Sequence, residues 1–296
     1  MNGVDQTGSN SRFSRGVRSA LSCLTMPLGN LLGISIEDLS NESRRQLGLV
    51  LILPGIEGRS SLNMNLARGL NDAGLPAAIE IEDWTTGRRW LSLYHLRSTH
   101  WHRLAAARLS ERIARYQDAY PGRPIFLIGH SGGSGVTAEA LLALPAERSI
   151  TGAIFLASAL SAAYDLQPVL ERVDTRLWAV RSWLDWLQLG IGTTLVGTFD
   201  GRHSPSAGMI GFRCLRSRSN QNPTDHSTLR ADQPVEATRS RAAERYEDLP
   251  FRWTMLKSWN LGGHWGCVNR VFVADYLAPR LCHAAGWQTA AFQEQP

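Results

Sequence analysis

Ser131 lies in a pattern of residues that could present a reactive hydroxyl. Gly129 and Gly133 stand two positions before and after it, so this stretch matches the pattern Gly-x-Ser-x-Gly. Short matches of this kind are common by chance, but here residues 124–128 form a bulky apolar run typical of a buried strand, and a helix is predicted after the serine. A sharp strand-to-helix turn would push the Ser131 hydroxyl out above the sheet, and it requires very small neighbours. The pattern therefore predicts a nucleophilic serine.

A histidine is needed beside such a serine, because the hydroxyl is a weak nucleophile until a base removes its proton. Of the eight histidines, His264 has the best position. It follows a predicted strand and two glycines, and a helix is predicted just after it. His130 is adjacent to Ser131 but should point away from it in a turn of this kind. We therefore predict that His264 is the base.

Three histidines near the start of a predicted helix, His95, His100 and His102, could pass for a metal cluster. No carboxylates accompany them, so a surface or capping role is expected instead. The histidines that follow no predicted strand are His203, His226 and His283.

Two carboxylates could orient the histidine, which needs a third group to fix its tautomer and stabilise its charged form. Asp185 comes a few residues after a short predicted strand, 177–180, and Asp200 ends the apolar run 193–199. We favour Asp185 because the acid is expected soon after a strand, whereas Asp200 followed by glycine is an ordinary turn signal. Asp200 remains the alternative acid.

Backbone N–H groups must also be available to stabilise the negative oxygen that forms during acyl transfer. One should come from Gly132, directly after the serine, and a second from Ile56, in the loop after the first predicted strand. Glu57 could also contribute to this oxyanion hole. Because these roles belong to the backbone, the side chain at position 56 matters little.

Predicted strands and helices alternate along the chain, which predicts an α/β fold with a mostly parallel sheet and helices on both faces. The ligand site of such a sheet lies at the carboxyl ends of the strands, where Ser131, His264 and both candidate acids are expected. The predicted strands cover residues 48–53, 77–81, 124–128, 150–156, 177–180 and 251–257, and the predicted helices cover 61–73, 101–120, a segment after Ser131, and 268–277.

The composition divides the chain into three parts. Residues 1–45 are rich in Ser, Asn, Gly and Arg and predict a loosely ordered leader, residues 46–285 form the domain, and residues 286–296 are a tail. Residues 186–250 are predicted to be an insertion before the last strand. Its apolar first half could line an acyl pocket and its Arg-rich second half could be a mobile flap, although an insertion without function is equally consistent.

The composition also narrows the class of protein. The 296 residues carry 31 Lys and Arg against 26 Asp and Glu, and the basic residues are mixed with acids, so a solvated surface is favoured over a face that binds nucleic acid. The four cysteines have no Cys-x-x-Cys spacing, which indicates no zinc or redox motif and favours reduced thiols in a cytoplasmic protein. A disulfide between Cys267 and Cys282 is the alternative left open.

An apolar stretch at residues 20–24 follows several arginines and resembles a signal peptide only superficially. Thr25 and Pro27 interrupt it and no convincing cleavage site follows, so secretion is not expected. No apolar window is long enough to span a bilayer. Residues 21–34 could contact a membrane surface, but packing or disorder is favoured.

Three segments, LILPGIEG, LIGHSGGSG and LGGHWG, resemble the α/β-hydrolase superfamily, and the resemblance covers about residues 48–277. It implies acyl-ester chemistry by a Ser-acid-His triad, with Ser131 and His264 as two members and one of the two candidate carboxylates as the third. The two antiparallel strands that usually precede the first parallel strand of this fold are not evident. We therefore expect a shortened sheet of about six strands.

The resulting prediction is a serine hydrolase that cleaves a carboxylic ester or related acyl compound through an acyl-enzyme, without a metal or cofactor. Its partner would be a small acyl substrate and not a nucleic acid. An acyltransferase or peptidase with the same triad is the nearest alternative. A catalytically inactive α/β-hydrolase fold used for binding is the alternative from another class.

Overall fold

The computed structural model describes residues 6–25, 37–213 and 244–288. In this part of the chain every strand runs parallel to its neighbours. The strands are β1 (Leu49–Leu53), β2 (Ala78–Ile81), β3 (Ile125–His130), β4 (Ile150–Leu156), β5 (Val173–Arg181) and β6 (Tyr246–Pro250). They form one sheet in the order β2-β1-β3-β4-β5-β6. The prediction of an α/β fold with a mostly parallel sheet of about six strands is confirmed.

Helices cover both faces of this sheet, as predicted. The α-helices are α1 (Gln6–Thr25), α2 (Glu42–Arg45), α3 (Ser61–Asp72), α4 (Ser92–Arg97), α5 (Thr99–Ala119), α6 (Gly132–Ala143), α7 (Gln167–Leu170), α8 (Thr193–Val196), α9 (Ala207–Ile210), α10 (Arg270–Phe272) and α11 (Ala278–Ala285). Segments of 3-10 helix are Glu37–Leu39, Arg89–Leu91, Trp253–Ser258 and Gly266–Val268, and the π-helical segments are Trp186–Gly192 and Val273–Leu277. After β1 the chain crosses to β2 on one side, and after β2 it crosses back past β1 to β3 on the other side. Because such crossovers are right-handed, α3 lies on one face of the sheet, and α5 and α6 lie on the other.

The central strands are continuous apolar runs because both of their faces are covered. All five residues of β1 are at most 2% exposed, and β3 is buried along its whole length. The register pairs Leu53 with Gly129 and His130 with Leu156, so the carboxyl ends of β1, β3 and β4 lie next to one another. The loops that follow these strands therefore lie side by side at the carboxyl ends of the strands.

The last strand lies earlier in the chain than predicted. We expected residues 251–257 to form it, but β6 is Tyr246–Pro250, and Trp253–Ser258 is a 3-10 helix. β6 is at the edge of the sheet and only Leu249 is buried, so the sequence YEDLP lacks the apolar run that marks a central strand. The predicted strand at 251–257 is wrong for this reason.

Strand β5 is also longer than the predicted 177–180. Its first residues after Val173 are polar and exposed, so hydrophobic patterning does not indicate a strand there. The pairing of Val173 with Ile150 of β4 adds this polar half to the sheet. Sheet pairing between distant segments, and not local composition, sets where β5 begins.

Within the predicted leader, α1 packs against α3 and α10. Arg15 lies 3.0 Å from the carboxylate of Asp72, and the side chain of Asn269 donates to the Gly16 carbonyl at 3.1 Å. These contacts attach α1 to the domain. The segments 1–5, 26–36, 214–243 and 289–296 lie outside the described residues, and so do most of the predicted flap and part of the predicted membrane-surface stretch.

Cys267 and Cys282 are both thiols and are not joined to each other, so the disulfide alternative is wrong. The Cys267 thiol donates to the carbonyl of His264 at 3.7 Å, and burial raises the pKa of Cys282 to about 11. The Cys23 side chain and all of Cys214 lie outside the described part of the chain. Among the helices that the structure describes, none has both the length and the apolar character needed to cross a bilayer.

Candidate active site

Ser131 occupies a sharp turn between β3 and α6. Its backbone has φ 50° and ψ −118°, a region that residues other than glycine rarely adopt. The Ser131 N–H donates to the Leu156 carbonyl at 2.8 Å, and the Ser131 carbonyl accepts from the Ser134 hydroxyl at 2.6 Å. These bonds hold the strained turn through its backbone. The Ser131 hydroxyl is in no hydrogen bond with a described residue, His264 included.

The glycines around Ser131 are required by close packing. A Cβ on Gly129 would collide with the backbone of Ser134, and one on Gly133 would collide with the carbonyl oxygens of Leu53 and Pro54 at the end of β1. A larger residue at position 133 would push the turn away from the β1 loop, and one at position 129 would push the start of α6 away from β3. The small residues that the sequence motif demands therefore allow this loop and the serine turn to touch.

Asp185 and His264 form a buried, hydrogen-bonded pair. His264 Nδ1 and Asp185 Oδ2 are 2.7 Å apart, and the Asp185 side chain is fully buried. The other carboxylate oxygen accepts from the Leu189 N–H at 3.3 Å, where Asp185 caps the π-helical segment Trp186–Gly192. Because a carboxylate can only accept, the ring donates its Nδ1–H, and Nε2 is left able to take a proton.

The loop that carries His264 is held beside the Ser131 turn. His130, the residue before Ser131, donates its Nε2–H to the His264 carbonyl at 3.2 Å, and the two imidazole rings are 5.0 Å apart. Gly262 and Gly263 both have positive φ, 75° and 67°, so only glycine fits this bend without strain. The structure therefore places the predicted serine and base together at the carboxyl ends of the strands.

The charges around His264 favour its protonated form. Burial of the ring lowers its pKa, but the charge and hydrogen bond of Asp185, together with the charge of Glu57, raise it above the ordinary 6.5. The net direction is upward because two carboxylates face one imidazole. An imidazolium formed at this position would therefore be stabilised.

Asp200, the alternative acid, lies in a different network. Its two carboxylate oxygens accept from the backbone N–H and the hydroxyl of Ser161, at 2.8 and 2.6 Å, and it also accepts from the Thr198 hydroxyl. These bonds close the loop around α8 against the segment after β4. Of the two candidate acids, Asp185 is the one in contact with His264.

The two predicted oxyanion donors are close to each other. A Cβ on Gly132 would lie 3.7 Å from the backbone nitrogen of Ile56, and neither N–H donates to a described residue. The Ile56 carbonyl accepts from the Nδ1–H of His95 at 3.0 Å, while His95 Nε2 accepts from Thr86. His95 therefore positions the loop that presents the Ile56 N–H.

This contact corrects the prediction for the histidine group. His95 and His102 are both fully buried, so the expected surface or capping role is wrong for them, whereas His100 is exposed. His102 donates to the His95 carbonyl and stacks on Phe199 at 3.7 Å, and burial lowers its pKa. Among the described residues, no group of three or more His, Cys, Asp or Glu side chains could hold a metal ion.

A cavity of about 340 Å³ opens beside His264. Its walls include Trp259 and Trp265, with Gln188 from the π-helical segment and Ser19 from α1. A cavity of this size, with tryptophan walls, could receive the apolar part of a small acyl compound. The polar composition of residues 1–45 hides the part played by α1, although Phe13, Val17 and Leu21 recur at the spacing of an amphipathic helix.

The Glu57 side chain is a second feature that sequence reasoning missed. The prediction considered Glu57 only as an additional contributor to the oxyanion hole, but its carboxylate lies beside the Ser131 turn and contributes to the charge around His264. The one signal in the sequence is a lone acid in the otherwise apolar and glycine-rich loop PGIEG.

No protein-family model and no curated protein matches this chain. It is similar to a lipase-esterase related protein from Clostridium acetobutylicum ATCC 824, at 14% identity and a TM-score of 0.38 over 82% of this chain and 96% of that one. It is also similar to a highly thermostable carboxyl esterase from Bacillus coagulans, solved with glycerol, at 15% identity and a TM-score of 0.28 over 80% of this chain and 67% of that one. The chemistry of this chain is therefore inferred from its own residues.

Proposed function

We propose that this chain is a serine hydrolase that cleaves a carboxylic ester or a related acyl compound. The observation that supports this most is the buried 2.7 Å hydrogen bond between Asp185 and His264, next to a serine in a strained strand-to-helix turn. A structural serine would not need the strained backbone, and a structural histidine would not need a fully buried carboxylate on one nitrogen. Together they match a nucleophile elbow with its base and acid.

In the proposed first step, His264 Nε2 takes the proton of the Ser131 hydroxyl while the oxygen attacks the acyl carbon. Asp185 keeps the ring in the tautomer that can accept this proton and stabilises the imidazolium that results. The N–H groups of Ile56 and Gly132 would donate to the negative oxygen of the tetrahedral intermediate. The intermediate collapses when His264 gives its proton to the leaving alcohol, and Ser131 is left acylated.

In the proposed second step, water attacks the acyl-enzyme. His264 accepts a proton from the water, the tetrahedral intermediate forms again, and its collapse returns the proton to Ser131 and releases the carboxylic acid. No metal or cofactor takes part. If an alcohol or amine replaced water as the acceptor, the same residues would catalyse acyl transfer, and product analysis with competing alcohols would detect it.

A fluorophosphonate probe is expected to label the folded chain on Ser131, because the activated oxygen displaces fluoride and forms a phosphorus–oxygen bond. Intact-mass measurement and peptide mapping would locate the adduct. Ser131→Ala should abolish labelling, whereas Ser149→Ala, at the amino-terminal end of β4 and away from the site, should retain it. A folded chain that is not labelled at Ser131 would contradict the proposal and favour an inactive, binding fold.

The pH dependence of kcat/KM should show a histidine that is harder to deprotonate than usual. Only neutral His264 can act as the base, and the surrounding carboxylates raise its pKa above 6.5. Activity should therefore fall as the pH drops, with a midpoint above 6.5. A rate profile with an uncharged ester would measure this midpoint, and a value below 6.5 would show that the assigned charges do not act on the base.

A further inference from the structure

The Glu57 carboxylate is largely buried at the proposed site and makes no ion pair with a Lys or Arg among the described residues. Its side chain is only 15% exposed, and its Oε1 is a buried atom without a hydrogen-bond partner. Within the described residues, the only basic group within 4.0 Å is the imidazole of His130. A buried carboxylate with an unpaired oxygen is costly in free energy, so its presence here calls for a donor that the described residues do not supply.

His130 does not supply that donor in its neutral form. Its Nε2–H already donates to the His264 carbonyl at 3.2 Å, so the neutral ring directs the lone pair of Nδ1 toward Glu57 Oε1, 3.9 Å away. This distance is too long for a hydrogen bond. Two acceptors thus face each other, without a donor from the described residues between them.

The carboxylate also lies next to the reacting atoms. A Cβ added to Gly55 would collide with Glu57 Oε2 and would lie 3.2 Å from the Cβ of Ser131, so the carboxylate and Ser131 are close to each other. An acyl group held by Ser131 would therefore have the carboxylate beside it. A negative charge at this distance would oppose the developing oxyanion unless a substrate cation neutralised it.

We propose that Glu57 is a specificity-determining residue that binds an ammonium group on the acyl part of the substrate, close to the carbonyl carbon. This inference rests on the proposed function, because it assigns the substrate class of the same site. An ammonium fits better than a hydroxyl, since it neutralises the carboxylate and makes a charge-assisted hydrogen bond to it. The substrates would be esters or related derivatives of short amino acids.

Matched pairs of ethyl esters test this inference. Glycine, β-alanine and 4-aminobutyrate ethyl esters carry the ammonium one, two or three methylenes from the carbonyl, and ethyl propanoate, butanoate and pentanoate carry a methyl in its place. Titration of the released acid at pH 7 gives kcat/KM for each. The wild type should prefer the ammonium member of at least one pair by about 10- to 100-fold, the range of a hydrogen bond to a charged group.

Glu57→Gln should reduce this preference by a similar factor, because the amide keeps the size of the side chain and loses its charge. The matched control is Glu147→Gln, which should leave the preference unchanged. Glu147 is an exposed carboxylate before the amino-terminal end of β4, away from the site. Glu57→Lys should instead favour an anionic acyl group, measured with monoethyl malonate against ethyl propanoate. A gain of this kind could not come from misfolding.

Two outcomes would overturn the inference while the proposed function stands. One is hydrolysis with Ser131 labelled by the fluorophosphonate but no preference for any ammonium ester. The other is an equal loss on both members of each pair in Glu57→Gln, which would show a structural role. If the folded wild type neither hydrolyses these esters nor forms the Ser131 adduct, the proposed function fails and the inference fails with it.

Discussion

Replacement of Ser131 by alanine is expected to lower kcat/KM by at least about 10⁴-fold for every ester that the chain cleaves. The reason is that the Ser131 oxygen is the atom that attacks the acyl carbon, and the neighbouring Ser134 hydroxyl is already bonded to the Ser131 carbonyl and to Ser158. Alanine keeps the Cβ, and the backbone of residue 131 is held by the Leu156 carbonyl and the Ser134 hydroxyl, so the fold should be retained. p-Nitrophenyl esters of graded acyl length would measure the rates.

Thermal unfolding of the same variant provides the control for the fold. The melting temperature of Ser131→Ala should stay close to that of the wild type, and Ser149→Ala should match the wild type in both rate and stability. A well-folded Ser131→Ala protein that kept a tenth or more of the wild-type rate would show that another residue is the nucleophile.

The second large effect is expected for Asp185→Asn, with a loss of about 10⁴-fold in kcat, because the amide can donate to the ring and so hold His264 in the wrong tautomer. The same substitution at Asp200 is the matched comparison. Asp200→Asn should leave kcat nearly unchanged and should instead lower stability by about 1–3 kcal/mol, since it disturbs the bonds to Ser161.

Steady-state kinetics and denaturant unfolding of both variants would separate these effects. If Asp200→Asn reduced kcat strongly while Asp185→Asn had little effect, the acid would have to be reassigned. The serine and the base would be unaffected by that result, because their placement does not depend on which carboxylate is the acid.

Several features of the site could be predicted from local sequence. The apolar run before Ser131 and the glycines around it predict a strand, a tight turn and a helix, and the structure has β3, the turn and α6 at these positions. The loop after β1 that carries the proposed oxyanion donor and the glycine pair before His264 were recognisable for the same reason. Central strands and glycine turns leave a strong local signal because burial on both faces and positive φ each restrict the residue types.

Edge and surface elements left a weaker signal. Strand β6 was misplaced because an edge strand with charged, half-exposed residues has no apolar run to mark it. The buried positions of His95 and His102 were missed because burial of a polar ring depends on partners far along the chain, here the carbonyl of Ile56 and the ring of Phe199.

The sequence by itself determined the class of the fold and the candidate nucleophile and base, since each depends on residues that are adjacent in the chain. Only the tertiary structure decided which carboxylate touches His264, and only it placed the Glu57 side chain beside Ser131 and α1 against the cavity. Asp185 and His264 are 79 positions apart, so local patterning cannot rank Asp185 against Asp200. The pairing of β5 with β4 and the path of the chain to the His264 loop determine that contact.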